Sequence, residues 1–299
     1  MRSPLPVVLI VALLAACSST PSDPARERQE QDLAVAEKRL AAEPDSEMAA
    51  VWVGRRLGYL GRYEDAVAAF TRGLDRHPDS AWLLRFRGHR YITLRQFDDA
   101  VRDLERAREL AAGRPDEVEP DGQPNAAGIP IGTLRSNIAY HLGLALLLRG
   151  DTERAANVYL AALPLARTND DRYVSHVFWT WIALRELGRH DEAARLLEPV
   201  SSSMKIHENE DYLAALLHFR GELSRDALMS GAEPGTTAFA TRAHAAARKA
   251  LYDGDREAAR AWFAQIVFAG PMPAFSCIAA EVAVGDLETA RAKAEHVVR

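Results

Sequence analysis

The sequence repeats itself at an interval of 34 residues between residues 44 and 110. The first copy runs from Glu47 to Ser80 and the second begins at Ala81. Similar residues recur at matching positions of both copies: Gly54 and Gly88, Tyr63 and Phe97, Ala66 and Ala100, Phe70 and Leu104. The tripeptide that precedes each copy is also the same, Pro44-Asp45-Ser46 and Pro78-Asp79-Ser80. A unit of this length cannot bury its own apolar face, so neighbouring copies must stack side by side.

The pattern continues beyond the second copy. A turn glycine and a small alanine recur together in four later places: Gly150 with Ala155, Gly188 with Ala193, Gly254 with Ala259, and Gly285 with Ala290. Between them, Gly221 is followed by Asp226 where the alanine should stand, so this copy is degenerate. Upstream, residues 27–42 are predicted to form a single helix that caps the array. We therefore predict an all-α, right-handed α-solenoid of about six to seven helix pairs over residues 27–299, with a shortened last pair.

A 34-residue unit of helix, turn and helix, with small residues where the helices cross, resembles the tetratricopeptide repeat (TPR). The resemblance implies that the first helix of each pair lines the concave side of a superhelix. Two residues depart from the pattern. Arg95 replaces the turn glycine of the second repeat, so this turn must avoid a left-handed residue or be strained. Trp181 occupies a crossing position that is glycine in earlier repeats, so the helices there must stand further apart or shift register.

The N-terminus has the pattern of a lipoprotein signal. Arg2 precedes an apolar run, residues 5–16, that is short for a membrane span and ends in small residues. Its last four residues, LAAC, resemble the lipobox of bacterial lipoproteins, in which Cys17 would be acylated and become the first mature residue. An ordinary secretory signal or a short anchor helix is the alternative. We predict a signal peptide over residues 1–16 and attachment to a membrane through Cys17.

The residues that follow extend this interpretation. Residues 17–26 are rich in Ser and Pro and are predicted to form a flexible tether. Ser18 stands where an aspartate would retain a lipoprotein at the inner membrane. In a Gram-negative host, the resemblance therefore implies an outer-membrane lipoprotein of the cell envelope that faces the periplasm.

An insert of 21 residues, 115–135, separates the second and third repeats. It contains four prolines and an Asp-Gly pair, which predict turns rather than helix. Long loops in compact folds are usually functional or disordered. Because the insert contains apolar residues, we predict a flap that packs on the concave groove, with a disordered linker as the alternative. Ile129 and Ile131 are expected to be buried there, and Glu117, Glu119 and Asp121 to face Arg85 or Arg90.

The sequence lacks the motifs of the common enzyme classes. It has no phosphate-binding glycine loop, no His-Glu-x-x-His metal motif and no nucleophile elbow. Its nine histidines are scattered, and Cys277 stands in no catalytic context. The formal net charge of −5 disfavours nucleic acid as a partner, because phosphate binding needs a basic surface. We predict no enzymatic activity, no metal and no cofactor.

Candidate binding residues follow from helical geometry. The sixth position of each first helix points roughly 150° away from the packing positions. In repeats one to five this position is always aromatic or histidine: Trp52, Phe86, His141, Trp179 and Tyr212. Neighbouring positions of the predicted concave face add arginines and further rings: Arg55, Tyr59, Trp82, Arg85, His89 and Tyr140. Either these rings hold an extended partner, or they pack between neighbouring helices and set the curvature.

A lipobox followed by TPRs resembles several bacterial envelope lipoproteins, including an adaptor of peptidoglycan endopeptidases, the pilotins of pilus secretins, and an outer-membrane-protein assembly lipoprotein. The stretch HFRGELSRDALM resembles a G-x-[IL]-S-x-x-x-LM segment of the adaptor. These resemblances imply a non-enzymatic, lipid-anchored scaffold that binds a protein partner through its concave face. The alternative is an enzyme or small-molecule-binding protein with its site between the 115–135 loop and the groove.

Overall fold

The computed structural model describes residues 23–297, which form fourteen α-helices and no β-strand. The N-terminal half contains α1 (Pro24–Ala42), α2 (Glu47–Tyr59), α3 (Tyr63–Arg76), α4 (Ala81–Thr93), α5 (Phe97–Ala111), α6 (Leu134–Arg149) and α7 (Thr152–Ala166). The C-terminal half contains α8 (Asp170–Glu186), α9 (His190–Leu197), α10 (Glu210–Phe219), α11 (Arg225–Met229), α12 (Thr237–Tyr252), α13 (Arg256–Ala269) and α14 (Phe275–Val297). From α2 to α13 the helices make six consecutive pairs, so the predicted solenoid is confirmed.

The repeated Pro-Asp-Ser tripeptide marks where the first helices begin. The hydroxyls of Ser46 and Ser80 accept hydrogen bonds from the backbone N–H groups of Ala49 and Leu83, at 3.3 and 3.0 Å. Each serine thus satisfies a donor that the first turn of a helix leaves free. At the N-terminal end, α1 starts at Pro24, three residues before the predicted cap helix.

Glycine permits the close crossing of the two helices in the first three pairs. A Cβ atom at Gly54 would lie 2.3 Å from the ring of Phe70, and one at Gly143 would lie 2.5 Å from the ring of Tyr159. At Gly88 the nearest atom, 2.6 Å away, belongs to Leu104. These distances are shorter than any van der Waals contact, so only a residue without a side chain fits.

Both predicted departures have structural consequences. Arg95 has a φ of 62° and is the only non-glycine residue with a positive φ between residues 23 and 297. Trp181 stacks on Phe219 of α10, with 3.8 Å between the ring centroids. The second helices of that region are short: α9 has eight residues, and α11, in the repeat predicted to be degenerate, has five.

The prediction of a shortened last repeat is wrong. Instead of a turn at Gly285, α14 continues as one helix from Phe275 to Val297. Glycine weakens a helix by only about 1 kcal/mol relative to alanine, and within residues 23–297 no second helix follows α14 that would require a turn here. Within the described residues, no helix is both long enough and apolar enough to cross a membrane.

Candidate functional site

The insert packs against the concave groove. Two backbone hydrogen bonds close its base, from Glu119 N–H to the Gly132 carbonyl at 3.0 Å and from Leu134 N–H to the Glu117 carbonyl at 2.8 Å. On the groove side, Glu119 Oε2 lies 3.0 Å from Arg85 Nε and accepts a hydrogen bond from the Asn137 amide at 2.7 Å. The predicted contact between Glu119 and Arg85 is therefore confirmed, and these contacts agree with a flap rather than a linker.

Other residues of the insert depart from the prediction. Ile131 is buried as expected, but Ile129 is 41% exposed. The Asn125 side chain explains this difference, because its carbonyl accepts the backbone N–H groups of Ala127 and Ile129 and holds a turn that faces outward. Glu117 is exposed, and its carboxylate has no ion-pair partner among the described residues. The carboxylate of Asp121 accepts from the Gln123 N–H instead of facing an arginine.

Three arginines lie close together beneath the insert. Arg55, Arg85 and Arg90, together with Glu119, line a cavity of about 100 Å³ there. Arg55 and Arg85 are 8% and 4% exposed. Burial lowers the pKa of Arg85, and burial followed by the Arg85 charge lowers the pKa of Arg90 to about 10. Arg85 and Arg90 remain charged at neutral pH, and among the described residues only Glu119 contributes a carboxylate to this cavity.

A second cavity, of about 350 Å³, lies between the insert and the first helices of repeats three to five. Six of its wall residues supply cationic, imidazole or phenol groups: Arg55, Tyr140, His141, Arg172, His176 and Tyr212. Arg55 and Arg172 have no carboxylate within 4.0 Å among the described residues. The wall also includes Asp121 and Glu208, so the cavity presents charges of both signs.

Tyr140 and Tyr212, which line this cavity, form a hydrogen-bonded chain with the buried Trp179. The indole N–H of Trp179 donates to the Tyr140 hydroxyl at 2.9 Å, and the hydroxyls of Tyr140 and Tyr212 are 2.9 Å apart. These two contacts use two of the three available hydrogens. One phenolic O–H is left over, and both phenol rings line the cavity. The wall therefore offers a hydrogen-bond donor to a ligand.

The start of α14 occupies another part of the groove. The Phe275 ring lies 5.1 Å from His89, 5.4 Å from His141 and 6.0 Å from Tyr140, measured between centroids. Phe275 was not predicted as a groove residue, because it lies outside the repeat positions that define the first helices. Arg172 and His176, which line the larger cavity, were also not predicted; they lie seven and three residues before Trp179, the ring position of that repeat.

The predicted ring residues have several different environments. Trp179 is fully buried, and Phe86 and Trp82 are 5% and 7% exposed and stack on one another at 6.3 Å. Trp52 is partly exposed, with the guanidinium of Arg55 4.4 Å from its ring centroid. Tyr59 is also partly exposed and packs against Gly122 of the insert. The rings therefore form no continuous exposed row, and Trp179 is buried, where its indole N–H donates to the Tyr140 hydroxyl.

The groove histidines are neutral at physiological pH. Burial lowers the pKa of His89 and His141 well below the ordinary value, and neighbouring arginines lower it further. Burial lowers the pKa of His176 to about 4. Among the residues that the structure describes, no group of three His, Cys, Asp or Glu side chains is placed to hold a metal ion. Cys277 is buried, and burial raises the pKa of its thiol. The predicted lipidation site, Cys17, lies outside the described residues.

The repeat period, the glycine crossings and the stacked helix pairs define a TPR-type α-solenoid. No protein-family model matches the sequence, and no curated protein matches it. Solved structures of TPR proteins are similar to it in fold. One is YrrB, described as a TPR protein with an unusual peptide-binding site, with 15% identity and a TM-score of 0.42 over 78% of this chain and 91% of that one.

Two further solved structures have the same kind of similarity. PilF of Pseudomonas aeruginosa has 16% identity and a TM-score of 0.47, over 82% of this chain and 85% of that one. A MamA structure has 20% identity and a TM-score of 0.43, over 58% of this chain and 88% of that one. Similarities at this level concern the fold and do not indicate what this chain binds. The predicted similarity to the endopeptidase adaptor remains a prediction.

Proposed function

We propose that this chain is a non-enzymatic scaffold that binds a protein partner in the groove between the insert and the first helices. The observation that supports this most directly is the cavity of about 350 Å³, whose walls combine Arg55 and Arg172 with Tyr140 and Tyr212. Arginine and tyrosine are enriched among the residues that dominate binding energy at protein interfaces, because they combine large contact areas with directional hydrogen bonds. A partner segment that enters this cavity would meet one free phenolic donor and charges of both signs.

Attachment to a membrane is the second part of the proposal. The lipobox-like sequence that ends at Cys17 supports acylation of that residue, and Ser18 after it supports an outer-membrane position facing the periplasm in a Gram-negative host. One acyl chain holds a protein only marginally, so stable anchoring requires more than one. Metabolic labelling with a palmitate analogue tests this. The natural protein should be labelled, Cys17→Ser should not be, and label on the mutant would refute the assignment.

The binding site is tested by site-specific photocrosslinking in the native host. A photoreactive residue at Glu208, an exposed position in the cavity wall, should capture a defined protein, whereas one at Asp191, exposed on α9 and outside the cavity, should not. Trp52→Ala, which removes a partly exposed ring beside the groove, should reduce capture without unfolding the protein. Equal capture from both positions, or from neither, would argue against a partner in this groove.

A small-molecule-binding protein is the second candidate. The cavity volume falls within the range of about 300–1,000 Å³ that is common for small-ligand sites, and the leftover phenolic O–H could orient a polar ligand. Native mass spectrometry of protein purified from its host distinguishes the two candidates. A discrete added mass below that of a peptide, lost in the double variant Tyr140→Phe/Tyr212→Phe, which removes both phenolic O–H groups, would favour the small molecule.

A further inference from the structure

The insert is held in the groove in the way that a peptide ligand is held. Besides the carboxylate of Glu119, the groove binds two backbone carbonyls: that of Pro120 accepts from Arg55 Nη1 at 2.5 Å, and that of Gly122 accepts from Arg56 at 3.4 Å. Gly122 lies so close to Tyr59 that a Cβ atom there would be 2.3 Å from the tyrosine hydroxyl oxygen. The groove thus contacts one acidic side chain, two peptide carbonyls and a residue without a side chain.

The groove in this region carries more positive charge than the insert neutralises. Arg55, Arg85 and Arg90 surround the same small cavity, and Glu119 is the one carboxylate there in the part of the chain that the structure describes. Arg85 and Glu119 have side-chain exposures of 5% and 11%, so solvent screens this pair little. Arg55 and Arg90 have no carboxylate within 4.0 Å among the described residues. Buried like charges repel each other, so this surface favours an anionic segment over a neutral one.

We propose that residues 119–122 act as an intramolecular ligand, and that they occupy the position which an extended, acidic segment of the partner takes when it binds. This inference rests on the proposed scaffold function and specifies the chemistry of the partner. The recognised features are one carboxylate, which replaces that of Glu119 between Arg85 and Asn137, and a following backbone whose carbonyls face Arg55 and Arg56. These contacts favour a peptide as the ligand, because two of them are made to main-chain oxygens.

The docked insert also weakens the binding of a competing peptide. A segment tethered near its site competes at an effective concentration on the order of millimolar, so a separate acidic peptide binds weakly while the insert is docked. A partner that also fills the adjacent cavity of about 350 Å³ gains further contacts. This cavity adjoins the docked segment, because Glu119, Pro120 and Asp121 of the insert form part of its wall. The insert thereby selects for partners that combine an acidic segment with a second binding element.

The test uses the purified protein and a synthetic peptide with the sequence of residues 115–124, PDEVEPDGQP, blocked at both ends and fluorescently labelled. Its affinity is measured by fluorescence anisotropy for the natural protein, for Glu119→Gln, and for a variant in which a Gly/Ser link replaces residues 115–132. Both variants should bind the peptide at least tenfold more tightly than the natural protein. A matched peptide with Gln in place of the Glu119 equivalent should lose this gain, as should Arg85→Gln combined with Glu119→Gln.

The outcomes separate this inference from the scaffold proposal. Equal peptide affinity for the natural protein and Glu119→Gln, or equal affinity for the Glu and Gln peptides, would overturn the intramolecular-ligand role, whatever photocrosslinking at Glu208 shows. Inorganic phosphate that displaces the peptide at an equal concentration would show a general oxyanion site and also overturn it. If circular dichroism shows that the linker variant does not fold, the peptide affinity of Glu119→Gln alone tests the proposal. Capture of a partner at Glu208 without peptide binding would leave the scaffold proposal standing and remove this one.

Discussion

Arg95 and Glu281 are 186 positions apart in the sequence, yet their side chains form a two-point ion pair. Arg95 Nε donates to Glu281 Oε2 at 2.9 Å, and Nη2 donates to Oε1 at 2.5 Å. The same guanidinium donates to the Met272 carbonyl at 3.1 Å. These bonds connect the turn of the second repeat to the start of α14, and so help to keep Phe275 in the groove. The positive φ of Arg95 is thus accompanied by contacts that a turn glycine could not make.

Removal of this ion pair should loosen the start of α14. Glu281→Gln keeps the size of the side chain but removes its charge. Because the two side chains are 27% and 34% exposed, we expect a loss of about 1 kcal/mol or less in the free energy of unfolding. Hydrogen exchange over residues 275–285 should become faster. Glu257→Gln, at an exposed acid of α13, is the control, and an unchanged exchange rate in Glu281→Gln would contradict the role of the pair.

The glycine crossings predict a clear difference between two glycine substitutions. Gly143→Ala should lower the free energy of unfolding by about 1–3 kcal/mol, because the new methyl group would overlap the ring of Tyr159. Gly285→Ala should be neutral or stabilising by up to about 1 kcal/mol, since among the described residues no atom outside its own helix backbone and chain neighbours lies within 4 Å of its added Cβ, and alanine favours the helix. Chemical denaturation of the two variants measures this difference, and equal effects would show that the crossing geometry is wrong.

Two tryptophans that occupy equivalent repeat positions should differ in their contribution to stability. Trp179→Ala removes a fully buried ring and leaves the Tyr140 hydroxyl without its donor, so we expect a loss of about 3–5 kcal/mol. Trp52→Ala should cost less, because its ring is partly exposed. Urea denaturation monitored by far-ultraviolet circular dichroism compares the two without relying on tryptophan emission. A larger loss in the free energy of unfolding for Trp52→Ala than for Trp179→Ala would contradict the assignment of Trp179 to the core and of Trp52 to the surface.

The buried histidines predict that stability falls in weak acid. His176 has a folded-state pKa of about 4 against an ordinary value of 6.5, so below pH 6.5 the unfolded chain binds a proton that the folded chain does not. Its stabilising contribution is therefore complete above pH 6.5, decreases as the pH falls and is lost by about pH 4. The shift corresponds to a loss on the order of 3 kcal/mol.

Melting temperatures between pH 7.5 and 4.5 provide the measurement. His176→Gln should flatten the decrease, because glutamine does not titrate, while His190→Gln, at an exposed position, should retain the slope of the natural protein. The buried His89, His141 and His244, whose pKa values are also lowered, should keep part of the slope in the His176 variant. Identical slopes in all three proteins would contradict the assignment to His176.

Much of the local structure could be predicted from the repeat pattern. Ser46 and Ser80 cap helices because a hydroxyl in that position accepts from a free N–H, which depends only on neighbouring residues. Gly54, Gly88 and Gly143 recur because two helices cross there in every early repeat. The length and position of the insert also followed from the period. The pattern gave no means to decide whether Trp179 is a surface ring or a buried one, because first helices carry apolar residues on both sides.

The tertiary structure alone decided how the groove is filled. The curvature of a solenoid accumulates from small rotations between successive repeats, so whether Arg95 meets Glu281 depends on every pair between them. The ion pair of Glu119 with Arg85, and the burial of Ile131 but not Ile129, depend on which insert residues face outward in the turn held by Asn125. The sequence by itself determined the repeat, its helices and their close crossings, because these follow from interactions within and between adjacent units. The binding surface depended on contacts between distant units and the insert, which no local pattern encodes.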